Sequence, residues 1–143
     1  MIRGQDDPYF GKPFVDVDEW RTIPRPHHYV HGGFEGTETL FSIYLPPAEE
    51  YERRFVHVLQ GGTGGSEHTA LASVLGETDM IDFAASCGGY LVESNQGHKG
   101  VTFDFLGMDQ TITSYRASAQ SARFAYDYAA KHYGAAPLRG YLL

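Results

Sequence analysis

Hydrophobic and polar residues alternate most clearly in a short run at residues 40–45, which is preceded by another candidate strand at residues 28–33. In the second run Phe41, Ile43 and Leu45 share one face of an extended chain. The glycine-containing segment 34–39 separates the two runs. Two candidate strands on either side of such a turn, the second of them alternating, predict an antiparallel β-hairpin.

Residues 1–27 lack a sustained period of either two or 3.6 residues, and they carry several prolines and many charges. This composition predicts an extended amino-terminal arm that wraps over a domain formed by residues 28–143. Aromatic side chains are expected to anchor the arm to that domain. They are Tyr9, Phe10, Phe14 and Trp20.

Three apolar runs after the hairpin, at residues 55–59, 90–94 and 138–143, are typical of short buried strands. Helices are expected between them. One begins with Ser66 as its N-cap, and a second extends from its N-cap Thr78 to Cys87.

The clearest helical pattern covers residues 114–133 and is followed by Gly134, a typical C-terminal glycine. Its expected packing face has spacings of three and four residues and consists of Tyr115, Ala119, Ala122, Tyr126, Ala129 and Tyr133. Strands that alternate with helices predict an α/β fold. We expect a mixed, mainly parallel sheet with helices on both faces and an antiparallel amino-terminal hairpin.

A glycine-rich loop at residues 60–65 follows the strand at 55–59, and a long polar loop at 95–113 follows the strand at 90–94. Ligands of open α/β sheets bind outside the carboxyl ends of the strands. Both loops leave such ends, so they are expected to lie near each other. Asn95 and Gln96, at the start of the second loop, are candidates for the pocket.

Composition narrows the choice of partners. The 143 residues are 42% hydrophobic, enough for one domain with a core. Eighteen acidic and eleven basic side chains give a net charge of -7, which disfavours binding to nucleic acid. No apolar run reaches membrane-spanning length and no secretory leader is visible, so a soluble chain without membrane contact is expected; its location is otherwise open. The single cysteine, Cys87, is expected to be a buried thiol.

Seven histidines raise the question of a metal site. His27, His28 and His31 are close in sequence, and Glu67 precedes His68 after the glycine loop. None of them matches a helical H-E-x-x-H motif or a Cys/His finger, so we expect structural or surface roles and neither metal nor cofactor. His68 is nevertheless a candidate to face the pocket.

The segment from Tyr29 through the Gly32-Gly33-Phe34 turn region to Pro46-Pro47 resembles the opening hairpin of α/β-hydrolases. The likeness is to their esterases, loosely of the tannase and feruloyl-esterase kind. Leu59-Gln60-Gly61-Gly62 is similar to the His-Gly-Gly motif of these esterases, with Gln60 in place of the histidine.

This resemblance implies a partial α/β-hydrolase fold that acts on a small-molecule ester. The backbone amides of Gly61 and Gly62 would form part of the oxyanion hole, which stabilises the charged intermediate of ester hydrolysis. The implied substrate-binding residues are Gln60, Thr63, Gly64, Gly65, His68, Asn95 and Gln96.

The superfamily places its nucleophile on a G-x-S-x-G elbow after the fifth strand, which corresponds here to residues 138–143. No G-x-S-x-G occurs in the sequence. The nucleophile, acid and base are therefore expected beyond Leu143. The remainder of the hydrolase domain, or a partner chain, is expected to cover the strand at 138–143.

Two other function classes stay open. The chain could be a complete, non-catalytic binding or assembly module. It could also be a nucleotide-binding α/β domain, although the glycine loop ends in Gly-Ser-Glu where a Walker A loop has Gly-Lys-Ser/Thr. The dinucleotide pattern G-x-G-x-x-G would need glycine at position 67, which is Glu67.

Overall fold

Six strands form one sheet in the computed structural model, which describes residues 7–59, 64–71, 79–100, 107 and 109–143. The strands are β1 (Pro13–Arg21), β2 (His27–Phe34), β3 (Leu40–Leu45), β4 (Arg54–Val58), β5 (Gly89–Ser94) and β6 (Arg139–Leu142). Their order across the sheet is β1-β2-β3-β5-β4-β6.

The sheet is mixed. β1 with β2, β2 with β3 and β3 with β5 are antiparallel pairs, whereas β4 is parallel to both β5 and β6. The β2–β3 hairpin that the alternation predicted is confirmed, but the expectation of a mainly parallel sheet is wrong. The difference has two causes: the hairpin joins the rest of the sheet through the antiparallel β3–β5 pair, and a strand from the amino-terminal segment adds the antiparallel β1–β2 pair.

That added strand, β1, lies within the segment predicted as a wrapping arm. It pairs with β2 from Pro13↔Phe34 to Arg21↔His27, so residues 13–21 form an edge strand of the sheet. Of the four expected anchors only Phe10 is buried. Tyr9, Phe14 and Trp20 are exposed, Trp20 by 54%.

Within the described part of the chain, two α-helices connect the strands. The shorter one, α1 (Met80–Ser86), begins at Asp79, whose carboxylate accepts the backbone N–H of Ile81 at 3.0 Å. The predicted cap of this helix, Thr78, lies outside the described residues. The other predicted helix, with Ser66 as its N-cap, is wrong over its described part: residues 66–68 are not helical, and only a 3-10 turn, Thr69–Leu71, follows them. Cys87 ends α1 as expected, but its side chain is partly exposed, so the buried-thiol prediction is wrong.

The longer helix, α2 (Ala117–Tyr133), follows a π-helical turn at Ile112–Arg116 and ends at Gly134, which has φ of 69° as its predicted role requires. Its packing face differs in part from the predicted one: Ala129 is buried and Tyr133 packs against the core, but Tyr115 is 60% exposed and Ala119 is also exposed. The buried positions are small residues, Ala117, Ser118, Ser121, Ala125 and Ala129. Small side chains allow α2 to approach the sheet closely.

The core has two clusters. Buried alanines of α2 pack with Val30, Phe41 and Val92, and residues of α1 pack with Tyr29, Tyr44, Val56 and Leu91. Adjacent β5 residues, Leu91 and Val92, belong to different clusters because successive side chains of a strand point to opposite faces. The face that carries Tyr29 and Tyr44 also carries the polar groups described next.

Candidate functional site

The loops that follow β4 and β5 touch each other. The backbone N–H of Gly100 donates to the carbonyl of Gly65 at 2.9 Å. A Cβ atom on Gly65 would lie only 2.2 Å from the Gly100 carbonyl oxygen, and Gly65 has φ of 93°. The prediction that the two loops lie near each other is confirmed, and their close approach requires glycine at position 65.

A row of polar side chains crosses three strands on the α1 side of the sheet. His31 of β2 pairs with Ser42 of β3, which pairs with Glu93 of β5. Glu93 is one residue from the carboxyl end of β5, and its partner on β4, Val58, is the last residue of that strand. The row therefore lies at the end of the sheet where the carboxyl ends of β4 and β5 lead into the two loops.

Glu93 holds the segment after the glycine loop against the sheet. Its fully buried carboxylate accepts the backbone N–H groups of Thr69 at 3.1 Å and Ala70 at 3.2 Å, and the Tyr44 hydroxyl at 2.9 Å. The Thr69 hydroxyl donates to it as well. Burial raises the pKa of Glu93, while these hydrogen bonds act in the opposite direction. Sequence reasoning missed Glu93, which stands at the end of a predicted strand.

Just before Thr69, two side chains join His31 in a compact cluster. Nε2 of His31 lies 3.1 Å from Oε1 of Glu67, and Nε2 of His68 lies 3.2 Å from the same oxygen. The His31 and His68 rings stack with centroids 5.4 Å apart. Glu67 and His31 are largely buried, with side chains 10% and 13% exposed, whereas His68 is 47% exposed.

Two further groups hold the histidines. Asp16 is an extra residue in β1, because Val15 and Val17 pair with the consecutive residues 32 and 31 of β2. This β-bulge directs the Asp16 carboxylate to Nδ1 of His31, at 2.6 Å. The Tyr29 hydroxyl lies 3.5 Å from Nδ1 of His68.

The surroundings favour the charged forms of His31 and Glu67. The hydrogen bond to Glu67 raises the pKa of His31, burial lowers it, and the contact with Asp16 raises it further, with a net increase. Burial raises the pKa of Glu67, but its hydrogen bond to His31 and the nearby histidines outweigh burial and leave it below the usual value. One ligand atom from each of His31, Glu67 and His68 lies within 4.8 Å of the others.

Sequence reasoning did not bring these residues together. His31 and Glu67 are 36 positions apart, and neither forms a local motif. The available signal was indirect: Tyr29 and His31 share one face of a predicted strand, and Glu67-His68 follows the loop expected to approach that face.

The residues proposed from the resemblance divide into two groups. Gln60, Gly61, Gly62 and Thr63 lie outside the described residues, so the oxyanion assignment stays a prediction. Gly64 and Gly65 both have positive φ, 56° and 93°, and form the described end of the loop. His68 lies in the cluster above.

Asn95 and Gln96 begin the loop after β5. The buried Asn95 side chain accepts the N–H groups of Leu40 at 3.1 Å and Gly97 at 3.0 Å, and it donates to the Glu38 carbonyl at 2.8 Å. Asn95 therefore holds the loop against β3, and direct contact with substrate stays a prediction. Gln96 is partly buried with φ of 59°.

Among the described residues, no helix has the length and apolar character needed to cross a membrane.

Comparison with known proteins gives a structural likeness. No protein-family model matches the chain, and no curated protein matches it in sequence. The fold resembles part of a tannin acyl hydrolase. The match is to tannin acyl hydrolase from Aspergillus niger, with a TM-score of 0.58 and 14% sequence identity, and it covers 95% of this chain. The chain spans 27% of the length of that protein. At this identity the likeness concerns the fold alone, and it indicates a hydrolase-like architecture.

Proposed function

We propose that the chain is the amino-terminal part of an ester hydrolase of the α/β-hydrolase fold and contributes its oxyanion loop. The observation that carries this proposal is the fold match over 95% of the chain to a protein named as an acyl hydrolase of tannin. The proposed substrates are small-molecule esters, and no cofactor takes part.

The strand order supports the proposal. Counted from β2, the order β2-β3-β5-β4-β6 reads first, second, fourth, third and fifth strand. In α/β-hydrolases one oxyanion donor comes from the loop after the third strand. Here that strand is β4, and residues 60–65 follow it. α1 and α2 join different core clusters, which supports helices on both faces of the sheet.

The proposed chemistry uses backbone amides. Ester hydrolysis passes through a tetrahedral intermediate whose negative oxygen is stabilised by N–H donors, and loss of one donor slows such enzymes about 100- to 1000-fold. Gly61 and Gly62 are the proposed donors from this loop. The nucleophile, acid and base are proposed to come from residues after β6, since the G-x-S-x-G elbow is absent from the 143 residues.

The surface of β6 supports a covering segment. β6 pairs with β4, and its hydrophobic side chains Tyr141 and Leu142 are 46% and 67% exposed, while Leu143, which follows the strand, is 54% exposed. An exposed apolar edge strand favours pairing with another strand. We propose that the rest of the hydrolase domain, or a partner chain, covers β6.

The test is an assay of the natural full-length gene product with p-nitrophenyl esters and phenolic-acid esters, together with fluorophosphonate labelling. We expect ester hydrolysis and a labelled serine located after Leu143. A folded full-length product that neither hydrolyses these esters nor reacts with the fluorophosphonate would overturn the proposal.

Substitutions at one glycine test the oxyanion role in that product. Gly62→Pro removes the backbone N–H, and Gly62→Ala keeps it, so the difference between them isolates the donor. We expect kcat of Gly62→Pro to be about 100- to 1000-fold below that of Gly62→Ala. Gly107→Ala is the control, because an added Cβ there meets no atom within 4 Å. Equal kcat values for the two Gly62 variants, with equal melting temperatures, would exclude this donor.

A further inference from the structure

The arrangement of His31, Glu67 and His68 matches the donor set of a transition-metal site. Two imidazole nitrogens converge on one carboxylate oxygen, at 3.1 and 3.2 Å. Two histidines and one carboxylate are a common set of protein ligands for a zinc ion that keeps a fourth position open.

The spacing of the ligand atoms fits an ion between them. Zn²⁺ binds nitrogen and oxygen at about 2.0 to 2.2 Å, so neighbouring ligands of a tetrahedral site lie roughly 3.3 to 3.6 Å apart. The two distances to Glu67 are within a few tenths of an ångström of this range. The third separation falls within the 4.8 Å that spans the cluster, and the half-exposed His68 ring has room to turn toward an ion.

The opposite nitrogens of both rings face oxygen atoms. Nδ1 of His31 lies 2.6 Å from the Asp16 carboxylate, and Nδ1 of His68 lies 3.5 Å from the Tyr29 hydroxyl. The Tyr29 hydroxyl is itself 3.0 Å from the Ser42 hydroxyl. Metal-binding histidines characteristically donate one ring N–H to a carboxylate or another oxygen, which directs the lone pair of the other nitrogen at the metal.

The neutral form of His31 leaves a place for a cation, whereas the protonated form would donate to both neighbouring carboxylates. A neutral histidine has one N–H, and His31 has a carboxylate oxygen beside each ring nitrogen. When Nδ1 donates to Asp16, the lone pair of Nε2 faces the Glu67 oxygen. A cation between these atoms removes that repulsion and compensates the two carboxylates.

We propose that His31, Glu67 and His68 bind a Zn²⁺ ion, with Asp16 and Tyr29 as residues that position the two imidazoles. The mixed nitrogen and oxygen ligands suit zinc, and they are unlike the all-oxygen sets that Mg²⁺ and Ca²⁺ prefer. His68 lies on the solvent side of the site, which leaves a coordination position open to water. The ion connects β2 to the segment after the glycine loop, and this inference does not depend on the proposed ester hydrolysis.

Isothermal titration calorimetry on the purified chain, free of histidine tags and treated with chelator, tests the site. We expect one Zn²⁺ per chain, a rise in melting temperature with added Zn²⁺ and no rise with Mg²⁺. His31→Gln and Glu67→Gln should each weaken Zn²⁺ binding at least 100-fold. Asp16→Asn should weaken it about 10- to 100-fold without changing the stoichiometry.

His28→Gln is the matched control. His28 lies on the same strand and also contacts a carboxylate, Asp18, at 2.5 Å, but it packs against His132 of α2 on the other face. The His28→Gln variant should bind Zn²⁺ with the same affinity as the unchanged chain. If His31→Gln or Glu67→Gln fails to fold, His68→Asn is the alternative variant, because it replaces a half-exposed side chain. With Co²⁺ as a coloured substitute for Zn²⁺, His68→Asn should lose the absorption of the bound ion. Zn²⁺ binding that is absent, or that survives both His31→Gln and His68→Asn in folded protein, would overturn the proposal and leave a protonated His31 as the centre of the cluster.

Discussion

His57 is a polar residue in the apolar interior. Its side chain, on β4, is 2% exposed, and its Nε2 has no hydrogen-bond partner among the described residues. Burial lowers the pKa of His57 from 6.5 to about 4. The folded protein therefore holds His57 neutral at pH values where the unfolded chain binds a proton.

This difference gives a pH dependence of known sign. Between pH 6.5 and pH 4 the unfolded chain binds more protons at this site, so the contribution of His57 to the free energy of unfolding is highest above pH 6.5 and falls as the pH falls. His57 should account for about 3 kcal/mol of that loss. His57→Leu should remove this part of the pH dependence. It should also raise the free energy of unfolding at pH 7, because it eliminates a buried nitrogen that lacks a hydrogen-bond partner. Urea unfolding from pH 7 to pH 4 measures both effects, and parallel curves for the two proteins would contradict the assignment.

The contact between Gly65 and Gly100 makes a second prediction for single residues. Gly65→Ala adds both the cost of positive φ and a clash with the Gly100 backbone. Gly36→Ala is the matched control, because Gly36 has φ of 75° but open space around the position of a Cβ. We expect Gly36→Ala to cost about 1 to 2 kcal/mol and Gly65→Ala about 1 to 3 kcal/mol more, by urea unfolding. Equal losses would mean that the two loops are not held in contact.

Among the elements, α2 packs through its smallest side chains. Ala125 is fully buried against the sheet, and Ala119 is exposed on the same helix. Ala125→Leu should therefore destabilise the protein by about 1 to 3 kcal/mol through overpacking, and Ala119→Leu should change stability by less than about 0.5 kcal/mol. Thermal unfolding of both variants is the measurement. A larger loss of stability for Ala119→Leu than for Ala125→Leu would instead support the packing face that was predicted from the sequence.

The segment after the glycine loop depends on one carboxylate. Four donors from Thr69, Ala70 and Tyr44 point at Glu93, and a glutamine there would turn an N–H₂ group toward some of them. Glu93→Gln should lower the free energy of unfolding by about 1.5 to 3 kcal/mol and increase proteolysis near residues 64–71. The exposed Glu35→Gln serves as control. An unchanged cleavage rate would show that Glu93 does not hold this segment.

Local patterns predict elements better than they predict contacts. The β2–β3 hairpin, the later strands and the end of α2 at Gly134 follow from alternation, apolar runs and a glycine. β1 was not anticipated because the bulge at Asp16 interrupts its alternation. The packing face of α2 was partly misassigned because alanines recur at helical spacing on more than one side of the helix. The sequence pattern does not show which side faces the sheet.

At the scale of the whole molecule, the candidate site depends on pairings between distant segments. His31, Glu67 and Glu93 come together because β2, β3 and β5 lie side by side, and neither hydropathy nor a short motif reports that order. The position of the glycine loop near the loop after β5 was predicted from the sequence because each loop directly follows a strand of apolar residues. The histidine cluster was missed because its members come from segments that are far apart in the sequence.

The exposed edge at β6 predicts how the isolated chain behaves. Leu142 in the strand and Leu138 just before it are exposed to a similar extent, 67% and 64%. We expect the purified chain to associate as its concentration rises, and Leu142→Lys to reduce this association more than Leu138→Lys, because only the former places a charge within the pairing strand. Light scattering over a concentration series measures the effect. Equal behaviour of the two variants would mean that association does not use the strand.

The extra residue in β1, Asp16, also leads to a prediction about the length of this strand in natural relatives. Removing Asp16 would let residues 15 and 17 pair with β2 in unbroken register, so the sheet could persist while the carboxylate beside His31 was lost. Natural relatives should then fall into two length classes over this strand. Those that keep the additional residue should also keep His31, Glu67 and His68, and those one residue shorter should be free to vary at all three positions.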